Sequence, residues 1–304
     1  MASRCRRINV DPADPTTLGH DENVTHRQGD SANGYAASVA TSTPFELICE
    51  IEPPTRPDLT HARHQIGVLG RVSDAFLVPD NHLGRATVSS VAVAHEVMSM
   101  GGRAIACLNS RDRNVLGFRR DLLTAAAYGV RDFLLVHGDR PESGRRSDDV
   151  TVKRMIDEIR TFGSGPEFAG TGPFGVSVAC GLGPLPTFKA SADAVFTQIS
   201  YDLPALLRWR ESFDFGGRVY AGLMVLASPA MAHKLGEQNP QLAVPTAVTE
   251  VLEHDRSAGV GIACELAQQI RESGAFDGVH LVTVSKYREV ALRLEQDGWA
   301  RRRR

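Results

Sequence analysis

The sequence contains no C-x-x-C pair, no H-x-x-x-H, no G-x-S-x-G and no G-x-x-x-x-G-K-[ST]. Those absences argue against a zinc site, a nucleophile elbow and a phosphate loop, because each of those chemistries needs its residues at a fixed spacing. The five cysteines (Cys5, Cys49, Cys107, Cys180, Cys264) stand singly. An odd, scattered set supports neither a disulfide framework nor a structural metal, and no metal is expected. It points instead to a reducing compartment. No apolar run reaches the roughly 18 residues that a membrane helix needs, and no apolar stretch of a secretory signal opens the chain. A soluble, cytoplasmic protein is expected. The formal net charge is only −2, so the balance favours neither nucleic acid nor an anionic membrane as partner. The local exceptions, Arg4, Arg6 and Arg7 and the run Arg301 to Arg304, read as solvated tails.

What is present is ordinary globular composition, 42% hydrophobic and 23% charged over 304 residues. Residues 1–42 are polar and lack a hydrophobic period, which predicts a disordered tail. Residues 43–300 form the expected single domain, and 301–304 a basic tail. Within the domain, short apolar runs alternate with amphipathic stretches. Strands are expected at Phe45–Ile51, Ala75–Val78, Arg103–Leu108, Phe133–His137, Phe174–Cys180, Ala194–Ile199, Arg218–Met224 and Val279–Val284. Helices are expected at Leu59–Gly70, Thr87–Met100, Val115–Tyr128, Asp149–Phe162, Leu203–Phe215, Pro229–Lys234, Gly261–Ser273 and Lys286–Asp297, with Gly129, Gly163 and Gly274 as C-terminal caps. Repeated strand–helix units imply parallel strands, and eight strands close naturally into a (β/α)8 TIM barrel. A doubly wound open sheet is the rival. Between Cys180 and Ala194 stands only GLGPLPTFKASAD, too short and too rich in Gly and Pro for a full crossover helix, so the fifth helix is stunted or missing.

In a barrel, chemistry sits at the C-terminal ends of the strands. The first strand ends CEIEPPT, and alternation puts Glu46, Ile48, Glu50 and Glu52 on one face and Phe45, Leu47, Cys49 and Ile51 on the other. With the apolar set against the helices, Glu50 points into the barrel mouth, where a partly desolvated carboxyl suits general-acid work. The bland alternative is a rim carboxylate in a salt bridge. Asp139, after Gly138 in LLVHGDRP, can stabilise a cation on a substrate or merely serve a turn. Gln198 offers a donor and an acceptor at the sixth strand end. NSRDRN (Asn109 to Asn114) is either functional charge or a solvated helix-capping loop. GVGIAC (Gly259 to Cys264) lacks a preceding strand and reads as an ordinary helix start.

Taken in order, these residues resemble the methylenetetrahydrofolate reductase family from Phe45 to about Gly298. The motifs are E-x-x-P-P (Glu50, Pro53, Pro54), D-N (Asp80, Asn81), R-D-R-N (Arg111 to Asn114), G-D-x-P (Gly138, Asp139, Pro141), T-Q-x-x-x-D (Thr197, Gln198, Asp202) and a late G-V-H (Gly278 to His280). The resemblance implies a TIM barrel that reduces 5,10-methylenetetrahydrofolate to 5-methyltetrahydrofolate in one-carbon metabolism and methionine biosynthesis. It implies Glu50 as the general acid that protonates folate N10, Asp139 as the carboxylate that stabilises the 5-iminium cation and contacts the pterin, and Gln198 as a folate ligand. The usual flavin-binding stretch departs from the pattern: its aromatic-Pro-Glu-x-His-Pro segment and following helix are missing, Lys189 is out of register, and Cys107 and His137 stand where other residues are usual. FAD is therefore doubtful. Direct hydride transfer from NADH, with NADPH not excluded, is the expected route. Asp80, Asn81, Arg111, Asp112 and His137 are candidate cofactor contacts. A non-reducing folate-binding barrel, regulatory or serving a partner methyltransferase, is the alternative.

Overall fold

A computed structural model describes residues 44–238 and 242–299. The tails expected at 1–42 and 301–304 lie outside the described residues. Eight parallel strands close in sequence order: β1 (Glu46–Glu50), β2 (Ala75–Val78), β3 (Ala104–Asn109), β4 (Asp132–Val136), β5 (Gly175–Cys180), β6 (Ala194–Ile199), β7 (Arg218–Met224) and β8 (Gly278–Val282). Pairing of β1 with β8, in the register Glu46 to Gly278 and Ile48 to His280, seals the barrel and rules out the open sheet. Each strand lies within about two residues of its expected span, because the buried apolar runs that mark them have no exposed face to blur their ends.

Nine helices are described: α1 (Thr60–Leu69), α2 (Ser90–Ser99), α3 (Val115–Ala127), α4 (Val152–Thr161), α5 (Leu203–Glu211), α6 (Pro229–Gln238), α7 (Thr246–His254), α8 (Gly259–Ser273) and α9 (Tyr287–Gln296). The caps are local: Asn114, Thr151 and Asp202 accept the amides of Gly117, Arg154 and Ala205 at 2.7, 3.2 and 2.9 Å. Helix α2 begins three residues later than expected because Thr87 is tied to Asn81, each accepting the other's amide through its side chain. Gly129 and Gly274 take positive φ after their helices, as caps do. Gly163 does not: it lies in a 3-10 turn where a Cβ would meet the Phe174 ring at 2.9 Å, so close packing requires it.

Two connections depart from a plain barrel. Between β5 and β6 there is only a 3-10 turn, Thr187–Ser191, as the short segment predicts. Between β7 and β8 stands α7, which sequence reading missed. Its TAVTEVLEH mixes β-branched and charged residues behind Pro245, a weak helical signal that packing of the fully buried Leu252 against Tyr201, Leu226 and Ala232 overrides.

Alternation along β1 sends Leu47, Cys49 and Ile51 outward into the shell between strands and helices, and Ile48 inward. The interior is filled in layers. At the bottom, Glu46 accepts the Tyr220 hydroxyl at 2.7 Å and faces Arg103 and Arg218 at 2.8 and 2.9 Å. Ile48, Leu77, Ile105, Leu134 and Phe196 pack above. Truncating Phe196, 1% exposed, to Ala costs about 3–5 kcal/mol by the usual cavity penalty.

Candidate active site at the barrel mouth

Closing the barrel sets Glu50 beside β8. Its Oε2 lies 3.2 Å from His280 Nε2, with the two side chains 14% and 11% exposed. By distance this is a contact, yet Nε2 is buried and has no hydrogen-bond partner, so the two groups are adjacent without being aligned. Phe196 meets the imidazole edge-on, with centroids 5.8 Å apart. The Cys107 thiol shares this space: burial first, then the charges of Glu50 and Asp80, push it well above its ordinary range and keep it a thiol. Beyond Glu50 the chain is fastened to its neighbours, Ile51 donating to Leu77 and Pro54 accepting from Val88. The Glu52 amide donates to the buried Gln65.

On the β2–β3–β4 side, polar groups satisfy one another. Asp80 accepts the Asn109 side chain at 2.6 Å and its amide at 3.0 Å, and pairs with Arg113, which also reaches Asp121 at 2.8 Å. Asp112 takes a bidentate pair from Arg111, both bonds at 2.6 Å, and Asn81 at 2.8 Å. The Arg111 bond, helped by Asn81 and Asn109 and opposed by partial burial, holds the Asp112 carboxyl down at about 2. Arg111, 2% exposed, also donates to the Asp139 carbonyl. Of the candidate cofactor contacts, Asp80, Asn81, Arg111 and Asp112 thus form one network. His137 stands apart, exposed, with Arg146 at 2.9 Å from its Nδ1. Burial, then Arg146 and Arg111, lower its protonation range.

Asp139 lies on the exposed rim, and its Oδ2 accepts the Leu83 amide at 3.0 Å. Leu83 and Asn81 hold left-handed backbone, φ 55° and 47°, and Leu83 is 61% exposed. Such strain in non-glycine residues collects at functional sites. Gly84 follows, where a Cβ would collide with the Arg140 carbonyl, so only glycine allows the β2 and β4 loops to meet. Among the described residues no hydrogen bond joins Asp139 to Glu50 or Gln198.

Gln198 is half-buried at a bulge, where the β6–β7 register shifts between Phe196 and Ile199. Its Oε1 accepts the Ile199 amide at 3.0 Å, which leaves its NH2 group without a partner among the described residues. Asp202 of the same motif caps α5. On the β5 side, the Lys189 ammonium donates to the Ala179 carbonyl at 2.6 Å. A cavity of about 420 Å³, lined by Gly163, Pro166, Phe168 and Pro173, lies at the opposite end of the barrel, before β5 begins, and has no titratable lining. Among the described residues no group of His, Cys, Asp and Glu is arranged to hold a metal, and no helix is long and apolar enough to cross a membrane. The His280–Glu50 contact was not legible beforehand: G-V-H marked the residue, but only closure of β8 on β1 gives it a neighbour.

Residues 186–298 match the model of the family described as methylenetetrahydrofolate reductase. No curated protein matches the chain. Among solved structures, a Clostridium thermocellum protein described as binding two copies of 5-methyl-5,6,7,8-tetrahydrofolic acid has a TM-score of 0.58 at 11% identity, covering 85% of this chain and 96% of its own. EDTA monooxygenase (EmoA) from Chelativorans sp. BNC1 has a TM-score of 0.52 at 10% identity, covering 85% and 95%. At such identities the likeness extends to the fold.

Proposed function

We propose that this chain, whose residues 186–298 match the model of the methylenetetrahydrofolate reductase family, binds 5,10-methylenetetrahydrofolate at the barrel mouth and reduces it to 5-methyltetrahydrofolate with NADH or NADPH. The observation that carries this reading is Glu50: a carboxyl group inside the mouth, 14% exposed, with no protein donor bonded to it among the described residues, its near neighbour His280 being out of line. A carboxylate serving structure is saturated by donors; this one is available to a substrate.

In the proposed reaction Glu50 protonates N10 and the imidazolidine ring opens. Asp139, with Oδ1 free of partners among the described residues, faces the cation that forms. The amide of Gln198 orients the pterin, and the exposed Leu83 offers its ring an apolar wall. Hydride reaches the iminium carbon when the dihydronicotinamide stands against it at about 3–3.5 Å.

Bound flavin does not fit the residues present. The β5–β6 connection is a single 3-10 turn, and its one cation, Lys189, is held by Ala179. Direct transfer from the nicotinamide is therefore the route we favour. Purified protein is expected to be colourless, added FAD to leave its rate unchanged, and initial rates with both substrates varied to intersect. Stoichiometric FAD, or parallel lines with FAD-dependent turnover, would overturn the direct route. Folate binding without NADH or NADPH oxidation would instead assign a non-reducing folate-binding barrel.

A further inference from the structure

His280 has no part in the reaction as described so far, although it is the nearest titratable side chain to the proposed acid. Its Nε2 is buried, 3.2 Å from Glu50 Oε2 and unpartnered. The register that pairs Ile48 with His280 fixes the imidazole one step below the carboxyl, and Phe196 packs edge-on against the ring.

Other ionisable groups of the interior are engaged elsewhere. On β1 and β7, Glu46, Arg218 and Tyr220 close on one another and on Arg103 of the β2–β3 connection at the barrel bottom. Asp80 pairs with Arg113, and Cys107 of β3 stays a thiol. On β6 the neighbour is the uncharged Phe196. Glu50 is thus the carboxylate that His280 can serve.

We propose that His280 is the proton reservoir of Glu50, the two side chains holding one proton in common; this rests on the reductase reading above. A free glutamate carboxyl ionises near about 4.3 and a free imidazole near about 6.5, so at neutral pH a carboxyl alone is almost always without the proton it must deliver. With the mouth open, water protonates Glu50; a swing of the carboxyl then lines Oε2 up with Nε2, and the proton passes to the imidazole, where it is retained. When folate covers the mouth and excludes water, the Nε2–H bond breaks, the Oε2–H bond reforms, and N10 takes the proton from Glu50. Nδ1 keeps its own hydrogen throughout. One proton enters per turnover and one leaves on the product, with no further reactant needed. His280 is in this sense a positioning residue, acting through Glu50.

Once the mouth is closed Glu50 can regain a proton only from His280, so removing the imidazole is expected to lower turnover at pH 7 by about tenfold or more. His280→Gln preserves volume and hydrogen bonding. Its rate is expected to go on rising as pH falls from 7 towards 5, over a range in which the wild-type rate has levelled off. The sign follows from the chemistry: the protonated form is active, and the variant must be taken to lower pH to populate it. His280→Ala leaves space for an added base, so its turnover should recover with imidazole concentration, and that of Glu50→Gln should not. A wild-type enzyme that turns over beside a His280→Gln variant with an unchanged pH profile would overturn the proposal.

A second readout needs no turnover and separates this failure from failure of the reductase reading. In folate-free protein labelled with 15N-histidine, the pH at which the His280 ring signals change should move when Glu50 becomes Gln. An unchanged titration would sink the shared proton whatever the enzyme's activity.

Discussion

Glu46 and Glu50 stand on the same face of the same strand, two alternations apart with Ile48 between them, and their surroundings are opposite. Glu46 accepts the Tyr220 hydroxyl and is flanked by the guanidinium groups of Arg103 and Arg218, whose charges face it although the Arg103 nitrogen nearest to it makes no aligned hydrogen bond. Burial alone would raise its carboxyl, but Tyr220, Arg103 and Arg218 together outweigh that and hold it below its ordinary range. Among the described residues Glu50 meets one potential nitrogen donor, His280, and it is out of line. A carboxylate held between a hydroxyl and two cations ties the barrel bottom together, whereas one without a protein donor at the mouth is left open to solvent or a ligand. In the upper rim, the network of Asp80, Asn81, Arg111 and Asp112 repeats the first pattern, and Gln198 with its unused amide the second.

The largest expected effect tests the mouth. Glu50→Gln should lower turnover by about 10²–10⁴-fold with little change in folate binding or melting temperature. Near-normal turnover would move the acid elsewhere and erase the contrast. The matching change below, Glu46→Gln, removes the charge that faces two guanidinium groups and should cost about 1.5–3 kcal/mol in urea unfolding. Its kcat per folded molecule should be kept; a loss of catalysis without a loss of stability would reverse the roles assigned to the two carboxylates.

Smaller effects sharpen the rim. Gly84→Ala forces a Cβ into the Arg140 carbonyl at φ 75° and should destabilise by about 1–3 kcal/mol while weakening folate binding, since the Leu83 wall is carried on the same turn. A melting temperature equal to wild type would mean that the two loops part without cost. The mildest is Asp112→Asn. Because the Asp112 carboxyl sits at about 2 when folded and near about 3.9 when unfolded, its contribution to stability is complete above pH 4 and is lost as pH falls towards 2. Melting curves between pH 5 and 2 should therefore fall less steeply in the variant, and identical slopes would remove Asp112 from the network.

Much of this arrangement was legible beforehand because its signals are short-range. The period of two in FELICE places Glu50 inward, and thirteen residues with two prolines and two glycines cannot span a crossover by helix. Asn114 precedes its helix as a cap should. What failed had weak local signals or long-range causes. Helix α7 depends on a hydrophobic cluster to which Tyr201 and Leu226 contribute from other elements. The charged loop NSRDRN looks the same on paper whether it binds a ligand or its neighbours. Its arginines prove to be taken by Asp80, Asp112 and Asp121.

By itself the sequence determined the alternation of strand and helix and the inward face of β1, because periodicity and spacing act within a few residues. Only tertiary structure decided which polar groups end up satisfied. Closure of the barrel brings His280 to Glu50 and Tyr220 to Glu46 across more than a hundred residues of chain. Whether a buried carboxylate becomes a structural tie or a reactive group follows from the donors that arrive with that closure, since an unsatisfied polar group in low dielectric keeps its full demand for a partner.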